Sequence, residues 1–455
     1  MDKARPPLEF IPPDYTPAVR SLARLSLPLV QRWKTSVTRV EVKNGDRLVD
    51  LYRQFQAGKV RFLLAFRHPS PRDPLFLCQL MWNFLPRSAR DAGVDLAEPT
   101  HFHFIYDRGI PLWMGQGIGW LFSKLGGTPI HRGKADLVGL RSARQLFANG
   151  LFPMAAAPEG HTNQHNEIIS PLEPGIAQLG FWCAEDLQRA GRNETVVILP
   201  LGIRYYYLSP PWNGIDRLLA SLEAQTGAAI DKGEGNPEAI LYRRLYGVGC
   251  QLLLVMERFY QQFYKKSLGD KQGKEPPDTN EELRDRLQVL VNAALEVAEE
   301  YFGLRGKGDL QERCLRIEQA GWERIFRQEL EEPGKLSELE RGLADRVAEE
   351  ADLRMWHMRL VESFVAMTGH YVRENPSVER FADTVLLLQK AVARIEGTGK
   401  FADAQLGPQR VVLTLGEPLC VSDRLAEYSA NRRGARQAVT DLTRDLKQAL
   451  EATIA

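Results

Sequence analysis

Cysteine is scarce in this chain: five in 455 residues, at 78, 183, 250, 314 and 420, and never in a Cys-x-x-Cys pair. The odd count and wide spacing argue against a disulfide framework and lead us to expect reduced, cytosolic thiols. An excess of one charge is missing too. Lys and Arg number 59 against 58 Asp and Glu, for a formal net charge of +1. No bulk field therefore draws the chain to nucleic acid, and any anion site must be local. Long hydrophobic runs are also lacking. The most suggestive uncharged stretch, residues 109–123, is fifteen residues with four glycines, short of the ~18 a spanning helix needs. The start, Met1-Asp2-Lys3-Ala4-Arg5-Pro6-Pro7, has no apolar core of a secretory leader. No Gly-x-Ser-x-Gly elbow and no glycine-rich phosphate loop after a strand occur, which counts against α/β-hydrolase and nucleotide-cofactor chemistry. What remains is an apolar fraction of 44% and a charged fraction of 26%, ordinary for a soluble protein and long enough for two or three domains.

One short segment carries chemistry. Phe62-Leu63-Leu64-Ala65-Phe66 reads as a buried strand, and Arg67-His68-Pro69-Ser70-Pro71-Arg72-Asp73 follows it. A histidine at a strand end with a carboxylate five residues on can form an oriented base: the acid holds one ring nitrogen while the other takes a proton. Pro69 and Pro71 forbid a regular helix between them, so the segment must turn. Asp73-Pro74 also has the form of a helix cap and first helical position, so a plain capping role stands beside the chemical one.

Three further blocks follow in order: Gly-Gly-Thr-Pro-Ile-His-Arg at 126–132, Pro-Glu-Gly-His-Thr at 158–162, and Val-Val-Ile-Leu-Pro-Leu-Gly at 196–202. With His68 and Asp73, the series resembles the four motif blocks of the glycerolipid acyltransferases, the superfamily of glycerol-3-phosphate and 1-acylglycerol-3-phosphate acyltransferases. The resemblance spans residues 60–205 and departs from the family pattern twice. Arg67 stands where members carry Asn, and His161-Thr162 stands where the third block ends in Thr-Arg. The resemblance implies His68 as general base and Asp73 as its orienting carboxylate. It makes Arg132 the ligand of an anionic head group, with Arg67, Arg72 or Lys134 able to supplement it. Glu159 and Gly160 would meet the acceptor or offer backbone donors, and Pro200 would shape the end of a strand lining the acyl channel. The donor would be acyl-CoA or acyl-carrier protein and the acceptor a glycerolipid precursor, without cofactor or metal. The expected setting is a cytoplasmic membrane surface, held peripherally. The segment from Pro111 to Phe122, beside Lys124, would touch lipid or pack as a core helix. An alternative reading makes the protein a catalytically degenerate lipid-binding or scaffold protein that acts through a helical insertion at 209–404.

Other histidines offer weaker constellations. His161 and His165 lie four apart near Glu159 and Glu167, but Asn163 and Asn166 give that stretch the look of a loop, and no His-Glu-x-x-His is present. His101 and His103 share one face of an expected strand and read as satisfied histidines. Met355, Trp356 and Met358 read as helix core.

The organisation changes along the chain. Strands are expected at 38–42, 61–66, 101–106, 152–157 and 195–203, and helices near 46–57, 74–84, 114–125, 135–149 and 174–189, an α/β alternation. Residues 214–400 read as helical, with capping-box patterns at Thr279-x-x-Glu282 and Ser337-x-x-Glu340. A strand at 410–415 and a helix at 431–453 close the chain. The expectation is an α/β fold, a mixed sheet flanked by helices of the glycerol-3-phosphate acyltransferase kind, with a large all-helical insertion. Its boundaries are an N-terminal arm at 1–57, the α/β domain at 58–208 and 405–455, and the insertion at 209–404.

Overall fold

In a computed structural model the structure describes residues 3–131, 136–229, 235–331, 334–365, 371–397 and 404–454. The chain forms two compact units, one of residues 10–208 and 408–455, the other of residues 1–9 and 209–407.

The first unit begins with α1 (Pro17–Lys34), β1 (Val37–Lys43), α2 (Gly45–Gln56) and β2 (Val60–Phe66). Next come α3 (Asp73–Gln79), a π-helical turn at Leu80–Phe84, α4 (Leu85–Asp91) and β3 (His103–Asp107). Then follow α5 (Ile110–Met114), α6 (Gln116–Lys124), β4 (Gly127–Ile130), α7 (Leu137–Asn149), β5 (Met154–Ala156), α8 (Gly175–Arg189) and β6 (Thr195–Tyr207). The strands form a mixed eight-stranded sheet in the order β1-β7-β6-β2-β5-β3-β4, with β7 at Gln409–Leu415 and β8 (Leu419–Cys420) pairing with β6. The pairs β2–β6, β2–β5, β3–β5 and β3–β4 are parallel, and β7 runs antiparallel to β6.

Helices cover both faces. Phe62, Leu64, Leu199, Leu201 and Leu413 pack with Leu48, Tyr52, Phe76 and Trp82 on one side. Leu63, Ala65, Val196 and Ile198 pack with Phe147, Phe181, Leu442 and Leu446 on the other. Every residue of β2 is buried, which is why it reads as an unbroken apolar run rather than an alternating one. Its single charge, Arg61, donates to the carbonyl oxygens of Phe147 (2.8 Å) and Gly150 (3.0 Å) at the end of α7, where a helix leaves acceptors unsatisfied.

The second unit holds α9 (Trp212–Thr226), α10 (Pro237–Tyr264), α11 (Asn280–Phe302), α12 (Leu310–Ile325), α13 (Glu338–Val365), α14 (Tyr371–Glu374) and α15 (Val378–Glu396). Thr279 and Ser337 accept from the N–H groups of Glu282 (3.1 Å) and Glu340 (3.3 Å). Glu340 returns the bond to the Ser337 N–H at 2.8 Å, closing a capping box, while Glu282 accepts from the Asp278 N–H at 2.9 Å instead. Inside, Arg286 meets Glu257 at 2.6 Å and Arg313 meets Glu299 at 2.7 Å. Met355 and Met358 are buried. Among the described residues α10 alone is long and apolar enough to cross a membrane, and half of its most apolar window is buried inside the protein. The chain closes in the first unit with α16 (Leu425–Ala430) and α17 (Arg432–Ile454).

Several expectations are corrected. Residues 10–57 are not an arm: β1 is a sheet-edge strand paired with β7, and α2 lines the core. The helix expected at 74–84 continues to Asp91 through the π-turn, and that expected at 114–125 is split at Gly115, whose φ of +95° leaves the helical region. β4 lies inside the second motif block and is not among the expected strands; at the sheet edge it tolerates the donor that Pro129 lacks. Pro200 does not end its strand. It lies inside β6 where the antiparallel neighbour changes from β8, opposite Val197 and Ile198, to β7, opposite Leu201 onward. No ladder donor is needed at that gap, and the Pro200 carbonyl accepts from the Gly416 N–H at 2.8 Å.

Candidate active site

Strand order creates the site. β2 and β5 are parallel neighbours, so the residues leaving their C-terminal ends, His68 and Glu159, emerge side by side, where open parallel sheets place ligands. On the other flank β6 pairs with β2 as far as Phe66–Leu201 and then runs on to Tyr207. Its overhang supplies Ile203 and Tyr205 as a wall beside the turn that carries His68.

His68 Nδ1 lies 2.8 Å from Asp73 Oδ2. Asp73 is fully buried, while the imidazole is about one-fifth exposed. A buried carboxylate needs its lone pairs filled. Oδ2 also accepts the Ser70 N–H at 2.9 Å, and Oδ1 accepts the Tyr205 hydroxyl. An ionised Asp73 only accepts, so Nδ1 must carry the proton and Nε2 keeps a lone pair toward the open side. Asp73 is the first residue of α3 and caps nothing; its side chain turns back across the Pro69–Pro71 bend instead. Burial, and next to it the Asp73 charge, push the Tyr205 phenol well above its ordinary range, which keeps it a donor.

The backbone of His68 is clamped from both directions. Its N–H donates to Glu159 Oε1 at 3.1 Å, and its carbonyl accepts the Asn163 N–H at 3.3 Å. Glu159, fully buried, also accepts Asn163 Nδ2 (2.6 Å) and the Ser170 N–H (2.9 Å). It therefore orders the loop rather than contacting an acceptor, which corrects the substrate-binding expectation. Gly160 is likewise structural. Its N–H closes a turn on the Ala157 carbonyl at 3.2 Å, so this donor is already engaged. Its φ is +69°, which favours glycine, and a Cβ there would lie 2.1 Å from Glu173 Oε1, so that carboxylate would have to move.

Arg67 corrects the other substrate-binding expectation. It is fully buried, and its guanidinium donates to the carbonyls of Ile168 (2.6 Å), Ile203 (3.1 Å), His165 and Asn166. Five fixed donors suit it to gathering a loop's carbonyls, and it ties residues 165–168 to the β6 overhang. Arg72 is partly exposed beside the dyad, with Nε 3.0 Å from Ser70 Oγ and its guanidinium 5.0 Å from the centre of the Tyr205 ring. Arg132 and Lys134 lie outside the described residues. The structure thus joins His68, Asp73, Glu159 and Gly160 in one neighbourhood, but only the first two present a reactive pair.

Tyr205 and Asn166 were missed from sequence. Asn166 accepts the Tyr205 N–H (2.7 Å) and donates to its carbonyl (2.5 Å), acting as a one-residue strand partner for the overhang. The Tyr205-Tyr206-Tyr207 run, just before the expected domain boundary at 208, was the signal available. Three other histidines make local contacts. His101 accepts from Trp82 Nε1 (3.0 Å) and meets the Leu125 carbonyl (2.8 Å), and burial pushes its pKa down to about 3. His103 meets the Gly126 carbonyl at 2.9 Å, and His165 is buried with Nδ1 3.0 Å from the Asn163 carbonyl. Among the described residues no three His, Cys, Asp or Glu side chains gather as a metal site. Comparison of the whole chain with protein-family models, with curated proteins and with solved structures finds no match.

Proposed function

We propose that this protein is an O-acyltransferase that moves a fatty acyl group from a thioester, acyl-CoA or acyl-carrier protein, to a hydroxyl of a glycerolipid precursor. The observation that carries the reading is the 2.8 Å contact between a partly exposed imidazole and a fully buried carboxylate at the C-terminal edge of parallel strands. The order of the four motif blocks supports it, and a mixed α/β sheet flanked by helices is compatible with it.

The thioester is already activated, and the alcohol is the poor partner because its pKa is too high for unaided attack. His68 Nε2 takes the hydroxyl proton as the oxygen bonds to the thioester carbon. The tetrahedral intermediate then collapses, the C–S bond breaks, and the imidazolium returns its proton to the leaving thiolate. Ester and free thiol result, with atoms and charge in balance. Asp73 holds the tautomer and stabilises the imidazolium, as in the serine-hydrolase triad with the acceptor alcohol in place of serine. Arg132 would receive the acceptor's anionic head, and the protein would work peripherally at a cytoplasmic membrane surface.

Thiol release measured with several donors and acceptors tests the proposal. His68→Ala should cost roughly 10²–10⁴-fold, the range of general-base help. Equal rates for wild type and variant would refute it. They would favour a lipid-binding or scaffold role, toward which Thr162 in place of the family's third-block arginine already leans.

A further inference from the structure

Helix α1 turns an apolar face outward. Leu22, Leu25, Leu29 and Trp33 are 68%, 78%, 67% and 85% exposed. Their spacing of three, four and four residues puts them on one stripe. The opposite face holds the helix in place: Leu27 is buried in the core and Ala23 packs against it. Arg20, also buried, donates to the Thr100 carbonyl at 3.0 Å and stacks over Trp82. The stripe therefore belongs to a fixed helix whose inner side is already packed. The helix, Pro-Ala-Val-Arg-Ser-Leu-Ala-Arg-Leu-Ser-Leu-Pro-Leu-Val-Gln-Arg-Trp-Lys, carries four cations and no carboxylate. With Arg20 inside, Arg24, Arg32 and Lys34 remain at the surface, the last two exposed beside Trp33.

We infer that α1 is a docking helix that lies in the headgroup region of a bilayer containing anionic lipid, with Leu22, Leu25, Leu29 and Trp33 sunk into the acyl boundary. An apolar stripe ending in tryptophan, flanked by basic residues alone, is the pattern of a helix lying in a membrane interface. Charge selects this occupant over a second copy of the chain. Two copies packed stripe to stripe would bring two sets of Arg32 and Lys34 together with no acid on either helix, whereas anionic headgroups neutralise them. The helix belongs to the same unit as His68. The inference deepens the acyl-transfer reading and rests on it for the purpose of docking, though not for its evidence. It adds α1 to the lipid contact expected of Pro111–Phe122, where Met114 and Trp120 are 52% and 55% exposed.

Flotation of the full chain with vesicles tests it, comparing phosphatidylcholine with phosphatidylcholine mixed with phosphatidylglycerol. Wild type should bind the mixed vesicles and bind the neutral ones weakly. Leu25→Ser and Leu29→Ser, both at exposed positions, should each lower partitioning by about tenfold or more. Arg32→Gln and Lys34→Gln should each lower it roughly fivefold, an effect that fades in high salt. Thermal melting, unchanged in all four, verifies folding. Acyl transfer between a soluble donor and a soluble acceptor should be unaltered in the variants. Absence of transfer in every protein would sink the enzyme reading and leave the vesicle result standing. Wild type that ignores anionic vesicles, binding that survives both leucine changes, or a dimer in light scattering abolished by them would overturn the docking role.

Discussion

Replacing Asp73 by Asn separates the two duties assigned to this carboxylate. In a serine-protease triad the equivalent change costs about 10⁴-fold because the amide stabilises the wrong histidine tautomer. Here the neighbours favour a different outcome. Asp73 Oδ2 accepts both the Ser70 N–H at 2.9 Å and His68 Nδ1 at 2.8 Å, while Oδ1 faces only the Tyr205 hydroxyl. An asparagine has one oxygen to place. Set at the Oδ2 position, it keeps both donors, and its NH₂ meets Tyr205, whose hydroxyl can turn, accept, and direct its own proton to Ser70, already in hydrogen-bond contact with it. Set the other way, the NH₂ confronts the Ser70 N–H and leaves that buried donor unsatisfied, at about 1–3 kcal/mol. The backbone at Ser70 therefore selects the amide orientation that preserves Nδ1–H. What disappears is the charge opposite the imidazolium. The difference between a charged and a neutral hydrogen bond is roughly 1–2 kcal/mol, or about five- to thirtyfold in rate. Single-turnover thiol release should show a loss of that size, and ¹⁵N NMR of the His68 ring should show the proton still on Nδ1. A loss near 10⁴-fold together with a proton on Nε2 would refute the argument that Ser70 sets the amide.

Further expectations concern the surrounding framework. Arg67→Met should lower stability by at least about 3 kcal/mol, because several buried carbonyls lose their donors. Calorimetry checks this, and a normal melting temperature with a raised KM would return Arg67 to the substrate. Gly160→Ala should cost about 1–2 kcal/mol for the left-handed backbone alone, with more from displacing Glu173, read as a lower urea midpoint. Tyr205→Phe removes one donor from a buried carboxylate and should destabilise by about 1–3 kcal/mol, with a smaller effect on rate than Asp73→Asn. His101 makes stability depend on pH. Its folded pKa, down to about 3 from the ordinary 6.5, means that only the unfolded chain takes up the proton as pH falls below 6.5. Stability is therefore lost progressively between about 6.5 and 3, by about 2 kcal/mol at pH 5 for this group. Comparing urea unfolding of wild type and His101→Gln at pH 7 and pH 5 should show the variant losing about that much less.

Much of the architecture follows from local pattern. The apolar runs of β2 and β6, the 3.6-residue stripes of the second unit, and the N-caps at Thr279 and Ser337 depend on neighbours in sequence, so their positions were legible to within a few residues. So was the candidate dyad, because a His, two prolines and an Asp over six positions permit few geometries. What sequence could not decide was how each polar group spends its hydrogen bonds. Arg67, Glu159 and Gly160 sit in the right blocks for substrate contacts, yet tertiary packing commits Arg67 to loop carbonyls, Glu159 to the His68 backbone and Gly160 to a turn. Tyr205 is more than 130 positions from Asp73 in the chain, and only the pairing of β6 beside β2 brings them together. The same holds for α1: its leucines recur at helical spacing, and which stripe faces water depends on what already fills the inner side. Periodicity reports that a face exists, and packing alone decides whether it is covered.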